Sequence, residues 1–179
     1  MDSITLMPYV RKDGIPTFRD SEIKKIYTRA FDEGWGFEMF HDGSIRNADH
    51  FVQYITSDKV MFWGVFKDTE LIGFFWLNRI EKTHAYLHFG FFKAYWGQYE
   101  DILVAGKKAL TMLLVQDYDG KPMFDLILGM YPSWNIHVLS YVKKFGARTL
   151  GEIPNLVWSE TQGKSIPGTI VAVTREMLK

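Results

Sequence analysis

Apolar and polar positions along the chain change period several times, and each change marks an element. Residues 3–10, SITLMPYV, alternate as a first strand does. After the polar stretch KDGIPT, Ile23, Ile26, Tyr27, Ala30 and Phe31 recur at three- and four-residue spacing, which puts one apolar stripe on a helix that stops near Gly34. The segment GWGF (34–37) reads as a mobile aromatic loop. A second helix follows at about 46–57, with Ala48, Phe51, Val52 and Ile55 as its buried face.

From Val60 the pattern turns to aromatic and β-branched runs of strand length: VMFWGVF, LIGFFWLNRI and HAYLHFGFF, separated by the polar turns KDTE and EKT. Such runs predict an antiparallel meander. A helix at about 100–116 comes next, with Leu103, Gly106, Leu110 and Leu113 as its inner stripe. MFDLILGMY, beyond the turn signal DYDGKP, reads as a strand covered on both faces. SWNIHVLSYVKKFGA is a helix with Val138, Val142 and Phe145 inward and Gly146 as its stop. Two last strands, RTLGEIPNLVWSE and TIVAVTREML, flank the polar loop TQGKSIPG. No repeat or linker divides the order β α α β β β α β α β β, so residues 1–179 are expected to form one domain.

Composition narrows the chemistry. Lys and Arg number 21 and Asp and Glu 21, so no broad charge field draws the chain to nucleic acid or to an anionic membrane. No cysteine is present, which excludes disulfides, thiolate metal sites and a cysteine nucleophile. The N-terminus carries no signal-peptide pattern and no apolar run reaches the ~20 residues of a membrane span, so a soluble cytoplasmic protein is expected. Aromatic residues make up 16% of the chain, which suggests a bulky core that takes most of the rings, plus some aromatic surface in a cleft or interface.

The element order, with its meander, central helix, and strand followed by a helix ending in Lys-x-Gly, resembles that of the GNAT superfamily of acyl-CoA-dependent N-acyltransferases. The segment NIHVLSYVKKFGA is similar to that family's N-x-x-A-x-x-L-Y-x-K-x-G-F, with Asn135, Lys144 and Gly146 in register. WGQYED (96–101) stands where the family has R/Q-x-x-G-x-G/A. The aromatic-rich, altered form of the pattern also resembles GNAT-like proteins of bacteriophages and prophages. The resemblance implies an α/β (α+β) domain with a mixed, mostly antiparallel central sheet of six to seven strands flanked by about four helices. It also implies acetyl-CoA as cosubstrate, no metal, and a small-molecule or protein amine as acceptor, attacking the thioester directly.

Carried over residue by residue, the resemblance assigns cosubstrate contacts to Phe89 and Phe91 on the strand, to Trp96, Gly97, Gln98 and Tyr99 in the turn, and to Asn135 at the late helix. Two departures stand out. Tyr99 and Asp101 replace the small residues that let backbone approach a pyrophosphate, and Glu100 and Asp101 put negative charge where an anion would sit. Those carboxylates equally suit an unliganded helix start, which they stabilise by roughly 0.3–1 kcal/mol. Lys93, Lys107 and Lys108 are candidates to supply positive charge. The family's acid, a tyrosine, falls at Val142, with Tyr141 one place earlier and rotated by about 100° on a helix.

Strand alternation puts His84, Tyr86, His88 and Gly90 on one face. His84 and His88 would stand about 13 Å apart, too far to share a metal ion. His88 is the candidate general base, Tyr86 a substrate-facing group, Glu81 a carboxylate relaying a proton through water, and Tyr141 the candidate acid. Trp35, Phe37 and His41 are candidates to line the acceptor pocket. The competing expectation is a GNAT-like fold without turnover, serving as a binding or assembly module. Nothing in the sequence decides between a monomer and a homodimer.

Overall fold

The computed structural model describes residues 3–178. The chain runs β1 (Ile4–Pro8), β2 (Arg11–Lys12), β3 (Ile15–Pro16), α1 (Asp20–Asp32), α2 (Gly36–Met39), α3 (Ala48–Ile55), β4 (Met61–Lys67), β5 (Glu70–Asn78) and β6 (His84–Phe91). A 3₁₀ turn (Lys93–Tyr95) leads into α4 (Tyr99–Leu114), β7 (Leu126–Pro132), α5 (Ile136–Lys144), β8 (Arg148–Ser159), β9 (Lys164–Thr174) and a closing 3₁₀ turn (Arg175–Leu178). Seven strands form one sheet in the order β1-β4-β5-β6-β7-β9-β8, while β2 and β3 make a separate two-stranded ribbon. Among the described residues, only the β6–β7 pairing in the large sheet is parallel.

The aromatic meander gives the sheet two differently covered faces, because alternate side chains on a strand point to opposite sides. Phe62, Phe74 and Trp76 face α1 and α3, where Phe51 sets its ring 6.3 Å from Phe74 and 6.2 Å from Trp76. Trp63 and Phe75 stack 4.9 Å apart on the other face. There Ala105, Gly106 and Ala109 of α4 close over Val65 and Phe75. Gly106 also lets α5 in, since a Cβ there would run into the Phe145 ring. α5 stops where the sequence indicates: Gly146 adopts φ 95°, a conformation open to glycine at no side-chain cost.

The mixed, mostly antiparallel sheet agrees with the expected architecture, with five α-helices among the described residues in place of about four. Three local expectations are corrected. GWGF is not a mobile loop: Trp35 is buried and residues 36–39 form a helical turn too short to show a period. The final strand begins at Lys164 rather than 169, because the polar KSIPG segment pairs with β8. The inner stripe of α4 is Ile102, Ala105, Ala109, Leu110, Leu113 and Leu114, leaving Leu103 and Gly106 only partly covered.

Candidate active site

The site begins where the sheet opens. The parallel ladder of β6 and β7 holds only three pairs, ending at Tyr86↔Leu128, although β6 continues to Phe91 and β7 to Pro132. Beyond that point the strands splay, and a cleft of about 440 Å³ fills the gap. Leu110, Ile127, Val171 and Val173 form part of its apolar wall, and Phe89, Tyr131 and Val142 line it nearer α5. Phe92 N–H bonds back to Ile72 of β5, so by strand alternation the main-chain groups of Phe89 and Phe91 turn toward the opening. The Phe91 carbonyl is taken by Trp96 Nε1–H at 2.7 Å. The Phe89 groups lie where β7 no longer reaches them.

On the α1–α3 face of the cleft stands His88. Its ring lies parallel to Trp76, 5.0 Å away and 7° from coplanar. Burial, above all, holds its pKa down to about 4; Asp42 opposes this and Arg79 and His41 add to it. The ring is therefore neutral at pH 7, the form that can accept a proton. Trp35, Met39 and His41 complete this side. Gly90 makes room for them: a Cβ there would come within 2.6 Å of Met39 Cε and 2.8 Å of the Trp35 ring.

Trp35 is held by a clamp at the end of α1. Glu33 accepts from Trp35 Nε1 at 2.8 Å, from Lys93 N–H at 2.7 Å and from Arg29 Nε at 2.7 Å. Burial alone would raise the Glu33 carboxyl, but the donors from Lys93, Trp35 and Arg29 outweigh it and hold the pKa below its ordinary value. Arg29 in turn lies 3.8 Å over the Phe92 ring. One carboxylate thus fixes the wall of the cleft to the turn that follows β6.

At the other end is the start of α4. The N–H groups of its first turn have no helical carbonyl ahead of them, and they carry the positive end of the helix dipole. Asp101 leans away to Lys67 Nζ of β4 at 2.9 Å. A cationic partner thus offsets one of the two carboxylates of WGQYED. Gly97 is open, with nothing within 4 Å of where a Cβ would be. The Tyr99 ring stacks on Tyr141 at 5.6 Å and carries Lys144 Nζ 4.0 Å from its centre.

The candidates from the sequence divide accordingly. His88, Tyr141, Phe89, Phe91, Trp96, Tyr99, Asn135, Trp35 and His41 all line the cleft. Tyr141 donates its hydroxyl to the Trp96 carbonyl at 3.0 Å, and burial, with Tyr99 adding, raises its pKa. Asn135 caps α5, its Oδ1 accepting from Val138 N–H at 3.2 Å. His41 places Nδ1 3.1 Å from the Trp158 carbonyl.

The remaining candidates lie outside the cleft. Glu81 is exposed in the β5–β6 turn, because its N–H closes that turn on the His84 carbonyl. Tyr86 belongs to the last pair before the splay and packs under the Arg79 guanidinium, 5.2 Å from its ring centre. Phe37 is 63% exposed, its ring edge-on to Phe31. Gln98 precedes α4 and bonds back to the Ala94 carbonyl.

Two features of the site escaped the sequence. Tyr131 lines the cleft, and its buried hydroxyl has no partner among the described residues. Asn78 joins His88 to Tyr54 across two strands and a helix. Their only sequence signal was a polar group in each of two otherwise apolar strands.

A sheet splayed between a parallel pair, with a helix start at its mouth, defines the GNAT fold, and this chain has that fold. The spermidine N-acetyltransferase from Vibrio cholerae, solved with CoA and spermine, superposes with a TM-score of 0.69 at 12% identity, over 98% of this chain and 97% of that one. The microcin C7 self-immunity acetyltransferase MccE, solved with acetyl-CoA and AMP, gives a TM-score of 0.71 at 14% identity over 97% and 93%. RimL, a ribosomal L7/L12 α-N-protein acetyltransferase solved with coenzyme A, gives 0.69 at 10% identity over 96% and 93%. No family model matches the sequence, and neither does any curated protein.

Proposed function

We propose that the protein is an N-acyltransferase that moves an acetyl group from acetyl-CoA to a primary amine by direct attack. The observation that carries this reading is the splay beyond Tyr86↔Leu128, with a neutral imidazole on one face and an unpaired helix start at the mouth. The residues fit an acyl-CoA. Phe89 offers main-chain groups to an extended amide-bearing arm, and the first N–H groups of α4, with open Gly97 beside them, suit a phosphate. The buried, unpartnered Tyr131 hydroxyl adds a donor in the wall. Acetyl-CoA supplies the activated thioester; the protein supplies position, exclusion of water and a proton acceptor.

The amine enters past Trp35, Met39 and His41, on the face that presents His88. A base whose conjugate acid has a pKa of about 4 does not deprotonate an ordinary alkylammonium, so the amine must arrive neutral. His88 acts once nitrogen has begun to bond to the carbonyl carbon, when its N–H is far more acidic. Tyr141 stands near the leaving side as the proton donor, its raised pKa keeping it protonated. Solved structures of similar fold bind spermine or act on a protein N-terminus, which supports an amine acceptor without choosing between the two classes.

The test is release of free CoA thiol in the presence of acetyl-CoA and a panel of polyamines, amino-terminal peptides and aminoglycosides. One acceptor should give steady turnover, and His88→Ala should lower kcat by about 10²-fold or more. Full turnover by that variant would remove His88 from the mechanism. Absence of thiol release with every amine would favour a binding module instead.

A further inference from the structure

We propose that Asn78 and Tyr54 are positioning residues that hold His88 as its Nε2–H tautomer and so leave Nδ1 as the ring's one lone pair. The inference rests on the reading of His88 as the proton acceptor and asks which nitrogen does the accepting.

The geometry fixes each member in turn. Tyr54 lies on α3 and Asn78 at the end of β5, and the Asn78 amide Nδ2 donates to the Tyr54 hydroxyl at 2.7 Å. With its NH₂ group so engaged, Asn78 turns Oδ1 toward His88, 3.1 Å from Nε2. An amide oxygen only accepts, so the proton between them belongs to the imidazole. Trp76 stacks on the ring at 5.0 Å and fixes its plane, and a half-turn of the ring within that plane would carry Nε2 away from Asn78. Among the described residues nothing donates to Nδ1. The charged groups that act on the ring are Asp42 and His41 of the loop after α2, and Arg79 after β5. None of these is hydrogen-bonded to it.

The arrangement resembles a second-sphere orienting contact, with a neutral amide where a carboxylate would raise the ring's basicity. A neutral partner fixes the tautomer yet leaves the ring a weak base. When Nδ1 takes the amine proton, Nε2–H stays on Asn78 Oδ1 and the imidazolium positive charge is balanced by no carboxylate in contact. The proton must then pass to water quickly, which suits a base that resets each cycle.

The experiment is nitrogen-15 NMR of the full-length protein labelled at histidine, in which the two ring nitrogens give distinct long-range correlation patterns for each tautomer. His88→Gln assigns the signal among the five histidines. The wild type should show Nε2–H as the single neutral form. Asn78→Ala should give a mixture of tautomers. Asn78→Asp should keep Nε2–H and raise the ring's pKa. Tyr54→Phe, which keeps the packing and removes only the hydroxyl, should loosen the preference and serves if Asn78→Ala does not fold. An Nδ1–H form in the wild type, or an unchanged tautomer in both Asn78→Ala and Tyr54→Phe, would overturn the proposal. Turnover plays no part in this readout, so an inactive protein would tell against the transferase reading alone.

Discussion

Asp101 Oδ2 accepts from Lys67 Nζ at 2.9 Å, and this bond turns the carboxylate in the first turn of α4 back toward β4. The sequence placed a negative charge where an anionic ligand would sit; the fold pairs it with a cation 34 positions earlier in the chain. Lys67→Met should therefore weaken CoA binding by up to about fivefold, the ~1 kcal/mol scale of a charge at a helix end. Asp101→Asn in the same chain should restore most of it. A calorimetric comparison of the two variants checks this, and equal affinities would show that Asp101 does not matter to the ligand.

Trp96 Nε1–H holds the Phe91 carbonyl, one of the main-chain groups turned toward the splay. A ligand arm that uses this carbonyl must share its oxygen with the indole or displace it. Tryptophan fluorescence should change on titration with CoA, and Trp96→Phe should remove most of the change even though five other tryptophans remain. A signal that survives the substitution would place the binding event elsewhere.

Tyr131 buries a hydroxyl without a partner among the described residues. An unsatisfied buried group costs about 1–3 kcal/mol, so Tyr131→Phe should stabilise the unliganded protein by about 1 kcal/mol, or roughly 2–4 °C in Tm. Thermal unfolding measures this directly. In saturating acetyl-CoA the gain should shrink, because the ligand then supplies the missing acceptor.

His88 gives a sign to the pH dependence. Its folded pKa of about 4 lies below the ordinary 6.5, so between those values the unfolded chain binds more protons than the folded one. Stability should fall as pH drops from about 6.5 toward 4, by a few kcal/mol at most, on the order of 1.4 kcal/mol per pH unit. His88→Gln should flatten that part of the curve. Glu33, whose pKa is lowered, also loses its contribution as pH falls, so the difference between wild type and His88→Gln isolates the histidine.

Much of the fold was legible because its signals are local. The runs VMFWGVF, LIGFFWLN and HAYLHFGF announce strands β4 to β6 by their strand length and their aromatic and β-branched content, and Gly146 ends α5 as its position suggests. His88 was legible for the same reason: alternation alone puts it on a face with Gly90. Pairings across the chain were not legible. Lys67 with Asp101, Tyr54 with Asn78, and Glu33 with the Lys93 amide join positions tens of residues apart, and no sequence period encodes them. Tyr131 reads as an apolar strand residue, and only its packing under α5 reveals a hydroxyl with nowhere to go. Glu81 and Tyr86 attracted attention by residue type, but the ladder that ends at Tyr86↔Leu128 leaves both on the closed side of the splay.

On the function proposed above, the gap between β6 and β7 holds a thioester-bearing cosubstrate. Isothermal titration of the protein with acetyl-CoA measures that binding. Saturable heat with a micromolar Kd and a single site is expected, reduced by a negative charge added just before α4, as in Gly97→Asp. No heat and no thermal shift at millimolar acetyl-CoA would contradict it.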